Sequence, residues 1–223
     1  MRLVLASRSP RRAELLRAAG FTFDTVVTSV DERTRAGESP ALYVRRLAAE
    51  KSAAGHAAYA MFAFPSAALR ASRRTFDGPA KAGHYVPDDV PDDVVILGAD
   101  TTVVVDGAIL GKPRDAADAA RMLRQLSGRR HEVMTGLSLR RGAFEVGRVE
   151  TSAVFFSLLS DDDVTWYVAS GEGRDKAGAY AIQGLASRFI TRIEGSYTNV
   201  VGLPVACLVE LLTEIRRRNP ERP

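Results

Sequence analysis

The chain has 223 residues, of which 46% are hydrophobic and 26% are charged, which is ordinary for a globular protein with one large core or two small ones. No apolar run is long enough to span a bilayer and no signal-peptide pattern opens the chain, so we expect no membrane partner and a cytoplasmic location. The net charge of +4 would suit nucleic acid, but the basic residues are scattered among Asp and Glu, which favours a solvated surface with one local anion site.

The N-terminal segment predicts a strand at Leu3–Ala6 followed by a helix at Pro10–Ala19. Ser9 is a good N-cap, and proline is favoured at the first helical position. Arg11 and Arg12 then fall in the first turn, where positive charge opposes the helix dipole. A helix N-terminus beside two guanidinium groups is suited to phosphate. The pattern therefore favours an anion site here. The alternative is that both arginines are simply exposed to solvent.

A second strand is predicted at Phe21–Val27, and after a loop a second helix is predicted at Pro40–Ala54, capped by Ser39. On a helical projection Lys51 shares the apolar face of this helix. The other members of that face are Val44, Leu47 and Ala48. A lysine in this position usually extends to solvent, and the alternative is that it faces the same anion as the two arginines.

The character of the chain changes at residues 59–93. This segment is rich in Gly, Pro and Asp near its end and keeps no period of 2 or 3.6 residues. We interpret it as a loop inserted into one domain that spans 1–223. Its neighbours His56 and His84 lack the spacing of metal ligands.

The segment 94–113, VVILGADTTVVVDGAILGKP, predicts a strand, a polar interruption, a second strand, a tight turn and a third strand. Asp106-Gly107 between apolar runs is a strong signal for a type I′ hairpin. Asp100 lies inside this predicted sheet, where a carboxylate is costly unless it is paired, hydrogen-bonded or bound to a metal. Asp100 is therefore either a functional group or a structural residue at a bulge.

The rest of the chain alternates helices and strands without a fixed repeat, which favours an α/β domain with a mixed sheet. Asp115 caps a helix with the apolar stripe Ala119, Met122, Leu123 and Leu126. The later predicted elements are strands at 132–139, 145–158 and 188–193, a short helix from Ser160 to Gly171 and a last helix at 204–218. Cys207 precludes an internal disulfide and is expected to be a small buried hydrophobe.

Several familiar chemistries are excluded by their missing motifs. The sequence has no GxxxxGKS/T, GxGxxG, GxSxG, HExxH or CxxC. What remains is a group of carboxylates and cations suited to a polyanion bound with a divalent metal: Glu32, Asp100, Arg11, Arg12, Lys51 and Lys112.

Seven segments together resemble the Maf family of nucleotide pyrophosphatases and occur in that family's order. They are LASRSPRRAELL (5–16), VDERTRAGESP (30–40), AAEKSAA (48–54), ILGADTTVVVDGAILGKP (96–113), HEVMTGLSL (131–139), DKAGAYAIQG (175–184) and EGSYTNVVGLP (194–204). The resemblance covers nearly the whole chain except 59–93, which typical relatives lack or keep much shorter.

The resemblance implies a fold like that of the inosine triphosphate pyrophosphatases, with a long twisted mixed sheet flanked by helices and split by a cleft. It also implies homodimers that cleave nucleoside triphosphates to monophosphate and pyrophosphate with Mg²⁺ or Mn²⁺. By that resemblance Asp100 is the general base. Our own hypothesis is that the metal is held by Glu32 and Asp100 together with the polyphosphate. Whether Asp100 acts as base or mainly as metal ligand stays open. The other matching cleft residues are Ser7, Arg11, Arg12, Lys51 and Lys112.

The segment 175–184 resembles the branch of the family that acts on dTTP and UTP. Arg11, Thr101 and Gln183 match the positions associated with base choice, and a Gln amide can pair with both a donor and an acceptor of a pyrimidine. The alternatives are a pyrophosphatase for 7-methyl-GTP or another modified nucleotide, and a non-catalytic regulator of cell division. Nucleic-acid binding is less favoured because the basic residues form no platform interleaved with aromatic residues.

Overall fold

The structure is a computed structural model that describes residues 1–63 and 90–217. Its mixed seven-stranded sheet has the order β2-β1-β3-β5-β6-β7, with β4 paired to β3. The strands are β1 (Arg2–Ala6), β2 (Phe23–Val26), β3 (Val94–Val105), β4 (Ala108–Leu110), β5 (Arg130–Arg141), β6 (Phe144–Phe156) and β7 (Ile190–Glu194). The helices are α1 (Pro10–Ala18), α2 (Pro40–Ala63), α3 (Ala116–Leu126), α4 (Asp161–Ser170), α5 (Tyr197–Val201) and α6 (Val205–Arg217). This mixed α/β architecture confirms the predicted fold class.

The predicted interruption around Asp100 is wrong, because β3 is one continuous strand of 12 residues. It pairs with β5 in unbroken antiparallel register from Ile96 to Val104, and Asp100 lies opposite Gly136. A structural Asp at a bulge is therefore excluded. The hairpin that follows is as predicted, since Asp106 and Gly107 have φ values of 51° and 75°.

Helix α2 is longer than predicted and continues from Ala54 to Ala63. Its alanine-rich sequence favours helix throughout, and Gly55 does not end it. A Cβ at Gly55 would lie 2.6 Å from the Ala6 Cβ atom, so this glycine permits close packing on β1. The first residues of the predicted insert at 59–93 thus belong to α2, and residues 64–89 lie outside the described part of the chain.

Other boundaries differ by a few residues. The strand predicted at 21–27 is observed at Phe23–Val26. The strand predicted at 188–193 is observed at Ile190–Glu194, because a 3-10 turn occupies Leu185–Phe189. The short helix α5 was not predicted, although Ser196 caps it by accepting a hydrogen bond from the Asn199 N–H. The helices at 161–170 and 205–217 agree closely with prediction.

Helices cover both faces of the sheet. On one face α2 packs over Val4, Ala6, Val94 and Ile96. On the other, α1 and α6 cover Leu3, Leu5, Val95 and Leu97, and buried Cys207 joins this core as predicted. A further core beyond them contains the whole predicted stripe of α3. Within residues 1–63 and 90–217, no helix is long and apolar enough to cross a membrane.

The sheet is open along one stretch of β3. Strand β1 runs parallel to β3 and pairs with Val94–Leu97, whereas β4 pairs with Val103–Val105. In the described part of the chain no strand pairs with residues 98–102 on that edge. The gap places Asp100 and Thr101 at the bottom of a cleft between β1 and β4.

His131 lies in the core behind one wall of this cleft and is 1% exposed. Its Nε2 atom lies 2.8 Å from the Tyr180 hydroxyl, and burial lowers the pKa of His131 to about 4. Because the unfolded imidazole takes up its proton near pH 6.5, the stability contributed by neutral His131 is complete above that pH. It is lost as the pH falls from about 6.5 to about 4, at up to about 1.4 kcal/mol per pH unit.

Thermal unfolding of wild type and His131→Gln between pH 7.5 and pH 4 tests this expectation. Glutamine does not titrate, so the difference in free energy of unfolding between the two proteins should narrow as the pH falls. A difference that is constant over the whole range would contradict the expectation.

Candidate active site

The cleft at the open edge of β3 has a volume of about 490 Å³. It is lined by all nine residues that were predicted from the sequence: Ser7, Arg11, Arg12, Glu32, Lys51, Asp100, Thr101, Lys112 and Gln183. The fold therefore brings together side chains from five separate segments of the chain: 5–16, 30–40, 48–54, 96–113 and 175–184.

A chain of charged groups forms the floor of the cleft. Lys51 Nζ donates to Asp100 Oδ1 at 2.6 Å and to Glu32 Oε1 at 2.7 Å. Only 12% of the Lys51 side chain is exposed, so the ammonium group is not extended into solvent. Burial raises the pKa of the Asp100 carboxyl, although Lys51 and Arg12 oppose the rise. Partial burial would also raise the pKa of Glu32, but the cations Lys51, Lys112 and Arg12 together outweigh burial and lower this pKa.

Two glycines bring Lys51 to Asp100. A Cβ on Gly98 would lie 2.2 Å from the Ala48 carbonyl oxygen, and a Cβ on Gly136 would lie 2.2 Å from that of Val44. Helix α2 thus rests on bare main chain of β3 and β5. This close approach lets a lysine on the apolar face of α2 reach a carboxylate in the middle of the sheet.

Arg12 is buried, and its guanidinium is bound to the protein. Its Nε donates to the Gly202 carbonyl at 2.9 Å, and its two terminal nitrogens donate to Ser7 Oγ and Thr101 Oγ1 at 3.3 and 3.1 Å. Burial lowers the pKa of Arg12. This arginine joins α1, β3 and the segment after α5, so it fixes the geometry of the cleft wall.

Arg11 differs from its neighbour in both exposure and partners. It is only half-buried, burial lowers its pKa, and Asp175 and Glu14 lie close enough to oppose that shift. Within residues 1–63 and 90–217 its guanidinium has no hydrogen-bond partner, and the same holds for the exposed ammonium of Lys112. Of the four predicted phosphate-binding cations, these two are available to a ligand without breaking a protein contact.

Ser9 stands at the N-cap position of α1 as predicted, but its side chain makes no capping hydrogen bond. The Ser7 hydroxyl instead accepts from the Ser9 N–H at 3.1 Å while it accepts from Arg12. Ser7 therefore organises the loop between β1 and α1, the segment that the sequence indicated as an anion site.

The segment 175–184 forms the opposite wall. Its Gly178 has a φ of 68° and donates its N–H to the Gly111 carbonyl at 3.0 Å, and a Cβ there would meet the Val103 side chain at 2.9 Å. Gly184 is similarly close to Glu172. These two glycines therefore permit close contacts within the protein, and Gln183 between them is exposed at the cleft.

Sequence reasoning missed several polar side chains that also line the cleft, and Tyr43 and Lys176 are two of them. The Tyr43 hydroxyl donates to the Glu32 carbonyl at 2.9 Å, and Lys176 is ion-paired with Asp175. Burial, with Asp100 and Glu32 nearby, raises the pKa of Tyr43 to about 12. Tyr43 could have been found from its position two helical turns before Lys51.

The carboxylates of the cleft suit a divalent metal that is also bound by substrate phosphates. Within the described ranges no group of three His, Cys, Asp or Glu side chains is placed to hold a metal. Glu32 and Asp100 present two carboxylates at the cleft, joined by Lys51. Mg²⁺ is commonly held by one or two carboxylates together with substrate phosphates, so these residues fit a metal that arrives with a polyphosphate.

Comparison with known proteins agrees with this geometry. Residues 2–215 match the family described as Maf-like protein, and the chain belongs to the Maf family. It is 46% identical over 204 residues to a protein of Vibrio cholerae serotype O1 named dTTP/UTP pyrophosphatase, with 92% of each chain covered.

Proteins with that same name in two other bacteria are similar to the same degree. The identity is 45% for Anaeromyxobacter dehalogenans, with 95% of this chain and 92% of the relative covered. It is 44% for Salmonella typhimurium, with 99% and 96% covered.

Proposed function

We propose that this protein hydrolyses dTTP and UTP to the nucleoside monophosphate and pyrophosphate in a metal-dependent reaction. The relatives named dTTP/UTP pyrophosphatase support the activity over most of the chain. The observation that carries the proposal is the buried Asp100 carboxylate, held by Lys51 at the bottom of a cleft that also contains Arg11 and Lys112.

In this reaction Arg11 and Lys112 bind the triphosphate. A phosphate charge 4 Å from ionised Asp100 would be repelled by about 4 kcal/mol at an effective dielectric of 20, so opposing cations are required. Lys51 fixes the Asp100 carboxylate and offsets its charge. Asp100 then accepts a proton from the water that attacks the α-phosphorus, and pyrophosphate leaves.

Glu32 and Asp100 are the residues that would hold Mg²⁺ or Mn²⁺ together with the phosphates. When bound, the metal supplies charge neutralisation and polarises the phosphoryl oxygens. Asp100 serves as the base in this scheme, and a contact with metal would be additional to that role.

Base choice is assigned to Gln183, Arg11 and Thr101. Gln183 is exposed at the cleft mouth, where its amide can donate to a pyrimidine carbonyl and accept from its ring N–H. Thr101 accepts a hydrogen bond from Arg12 and lies 2.9 Å from Thr135 Oγ1, so it would act through the shape of the wall. We also propose that the enzyme acts as a homodimer in the cytoplasm, without nucleic acid or membrane as a partner.

Pyrophosphate release from dTTP, UTP, CTP and 7-methyl-GTP is the direct test, with Mg²⁺ or Mn²⁺ and with excess chelator. We expect release from dTTP and UTP that stops on chelation and returns when metal is restored. Preference for 7-methyl-GTP would overturn the assignment of Gln183. No release from any nucleotide would favour a non-catalytic regulator.

A further inference from the structure

The loop that carries Glu32 has only one partly buried apolar residue, Val30. None of the residues 27–39, all of which the structure describes, is buried. We call this segment the Glu32 loop. Because burial does not hold it, its conformation depends on the polar contacts that it makes with helix α2.

Arg46 of α2 supplies the strongest of these contacts. Its Nε and one terminal nitrogen donate to the two oxygens of Glu38 at 2.6 and 2.7 Å, which is a bidentate pair. That same terminal nitrogen donates to the Arg33 carbonyl at 3.1 Å, and the other lies 3.3 Å from Glu50. The side chains of Arg46 and Glu38 are only 13% and 9% exposed, so the pair is well shielded from water.

The Glu38 carboxylate extends the contact into the loop's main chain. Glu38 Oε2 accepts from the Arg35 N–H at 3.1 Å. The Arg46 guanidinium lowers the pKa of Glu38 to about 2, so this carboxylate is ionised throughout the neutral range. The contacts at Arg33 and Glu38 and the one at the Arg35 N–H therefore meet at one guanidinium, and the Arg35 side chain adds an exposed ion pair to Glu50 of α2 at 2.9 Å.

These contacts bear directly on Glu32. The Tyr43 hydroxyl holds the Glu32 carbonyl, and Arg46 holds the carbonyl of the next residue, Arg33. With two successive carbonyls fixed, the Glu32 side chain is directed to Lys51 Nζ at 2.7 Å.

We propose that Arg46 is a positioning residue, which holds the Glu32 loop against α2 so that the Glu32 carboxylate stays at Lys51 in the cleft. The inference rests on the function proposed above only for what Glu32 does there. Lysine should not reproduce these contacts, because the two Glu38 oxygens are bound by two different nitrogens of a planar guanidinium, whereas an ammonium presents its donors from a single nitrogen.

Arg46→Lys and Arg33→Lys form a matched pair of variants. Each variant replaces an arginine that forms an ion pair with a carboxylate of the Glu32 loop. The Arg46–Glu38 pair is shielded from water, whereas the Arg33–Asp31 pair is exposed, with 89% of the Arg33 side chain accessible. We expect Arg46→Lys to lower kcat/KM for dTTP by about 10- to 100-fold and to raise the Mn²⁺ concentration for half-maximal rate, as changes behind a ligand do. Arg33→Lys should behave as wild type.

A double-mutant cycle with Glu32→Gln separates positioning from general structural damage. If Arg46 acts through Glu32, adding Arg46→Lys to Glu32→Gln should change the rate less than twofold, roughly the error of additivity. A further tenfold loss in the double variant would overturn the proposal, as would a wild-type rate and metal dependence in Arg46→Lys.

Amide hydrogen exchange supplies a readout that does not depend on activity. In Arg46→Lys the Arg35 amide should exchange faster than in wild type, whereas protection in β3 and β5 should be unchanged. Unchanged exchange at Arg35 would overturn the proposal. If wild type released no pyrophosphate, the function proposed above would fail, and exchange at Arg35 would still decide whether Arg46 holds the loop.

Discussion

Asp100→Asn should lower kcat for dTTP by about 10²- to 10⁴-fold, the usual contribution of a positioned general base. Asparagine keeps the size and one acceptor oxygen of the side chain, so Lys51 retains a hydrogen-bond partner and also keeps Glu32. The loss would therefore reflect the missing proton acceptor and negative charge. Steady-state pyrophosphate release at saturating metal is the measurement.

The same variant should be at least as stable as wild type. Burial raises the pKa of Asp100, so at neutral pH the ionised carboxylate costs free energy in the folded protein relative to the unfolded chain. A neutral amide removes that cost, and Tm should stay equal or rise. Such a pattern, with less activity and no less stability, is typical of functional groups placed against the local structural preference.

Asp106→Asn is the matched control, because Asp106 lies in the exposed β3–β4 turn and pairs with Arg129 at the surface. It should retain wild-type turnover. A near-wild-type rate in Asp100→Asn would remove Asp100 from the role of base, and a large fall in its Tm would show that the carboxylate is structural.

Gly98→Ala should destabilise the fold and disrupt the floor of the cleft. The new Cβ would lie 2.2 Å from the Ala48 carbonyl oxygen and 2.5 Å from the Ser52 nitrogen, both of them main-chain atoms of α2. Helix α2 must then move away from β3. We expect the free energy of unfolding to fall by about 3 kcal/mol, since overpacking against backbone is at the upper end of such costs.

For a chain of this size, that change corresponds to a fall in Tm of roughly 6 to 12 °C. Lys51 lies between Ala48 and Ser52, so turnover should fall as well, even at temperatures where the variant is folded. Gly111→Ala is the control for stability, because nothing lies within 4 Å of a Cβ built there and its φ is not positive. If Gly98→Ala and Gly111→Ala had the same Tm, the close packing of α2 on β3 would be disproved.

The parts of the fold that were predicted correctly are those with local signals. Asp106-Gly107 specifies its own turn, Asp115 caps α3, and Ser160 with Asp163 forms a capping box. The continuity of β3 was missed because it depends on pairing with β5, some 36 residues further along the chain for the Asp100 and Gly136 pair. The length of α2 was missed because a glycine often ends a helix, whereas Gly55 lies inside α2 where the helix packs closely on β1.

The residues of the site also divide into those that local sequence signals predicted and those that depend on tertiary contacts. Residue type and motif identified every charged group that lines the cleft floor, but they did not distinguish buried Arg12 from available Arg11. Residue type and motif also did not identify Arg46, because an arginine on the polar face of a helix is normally expected to be exposed to solvent. That distinction depends on where the Glu32 loop folds back, and this information lies outside any local pattern.

The glycines at the contact between α2 and the sheet also limit how the protein can be engineered. Replacing glycine by alanine is a general route to thermostability, because it restricts the unfolded chain. Alanine does not fit at the glycines where α2 crosses the sheet, because a methyl group would lie within 2.6 Å of a neighbouring atom. These positions are Gly55, Gly98, Gly136 and Gly147. A consensus or combinatorial library for this enzyme should therefore hold these four positions fixed and vary the exposed surface instead.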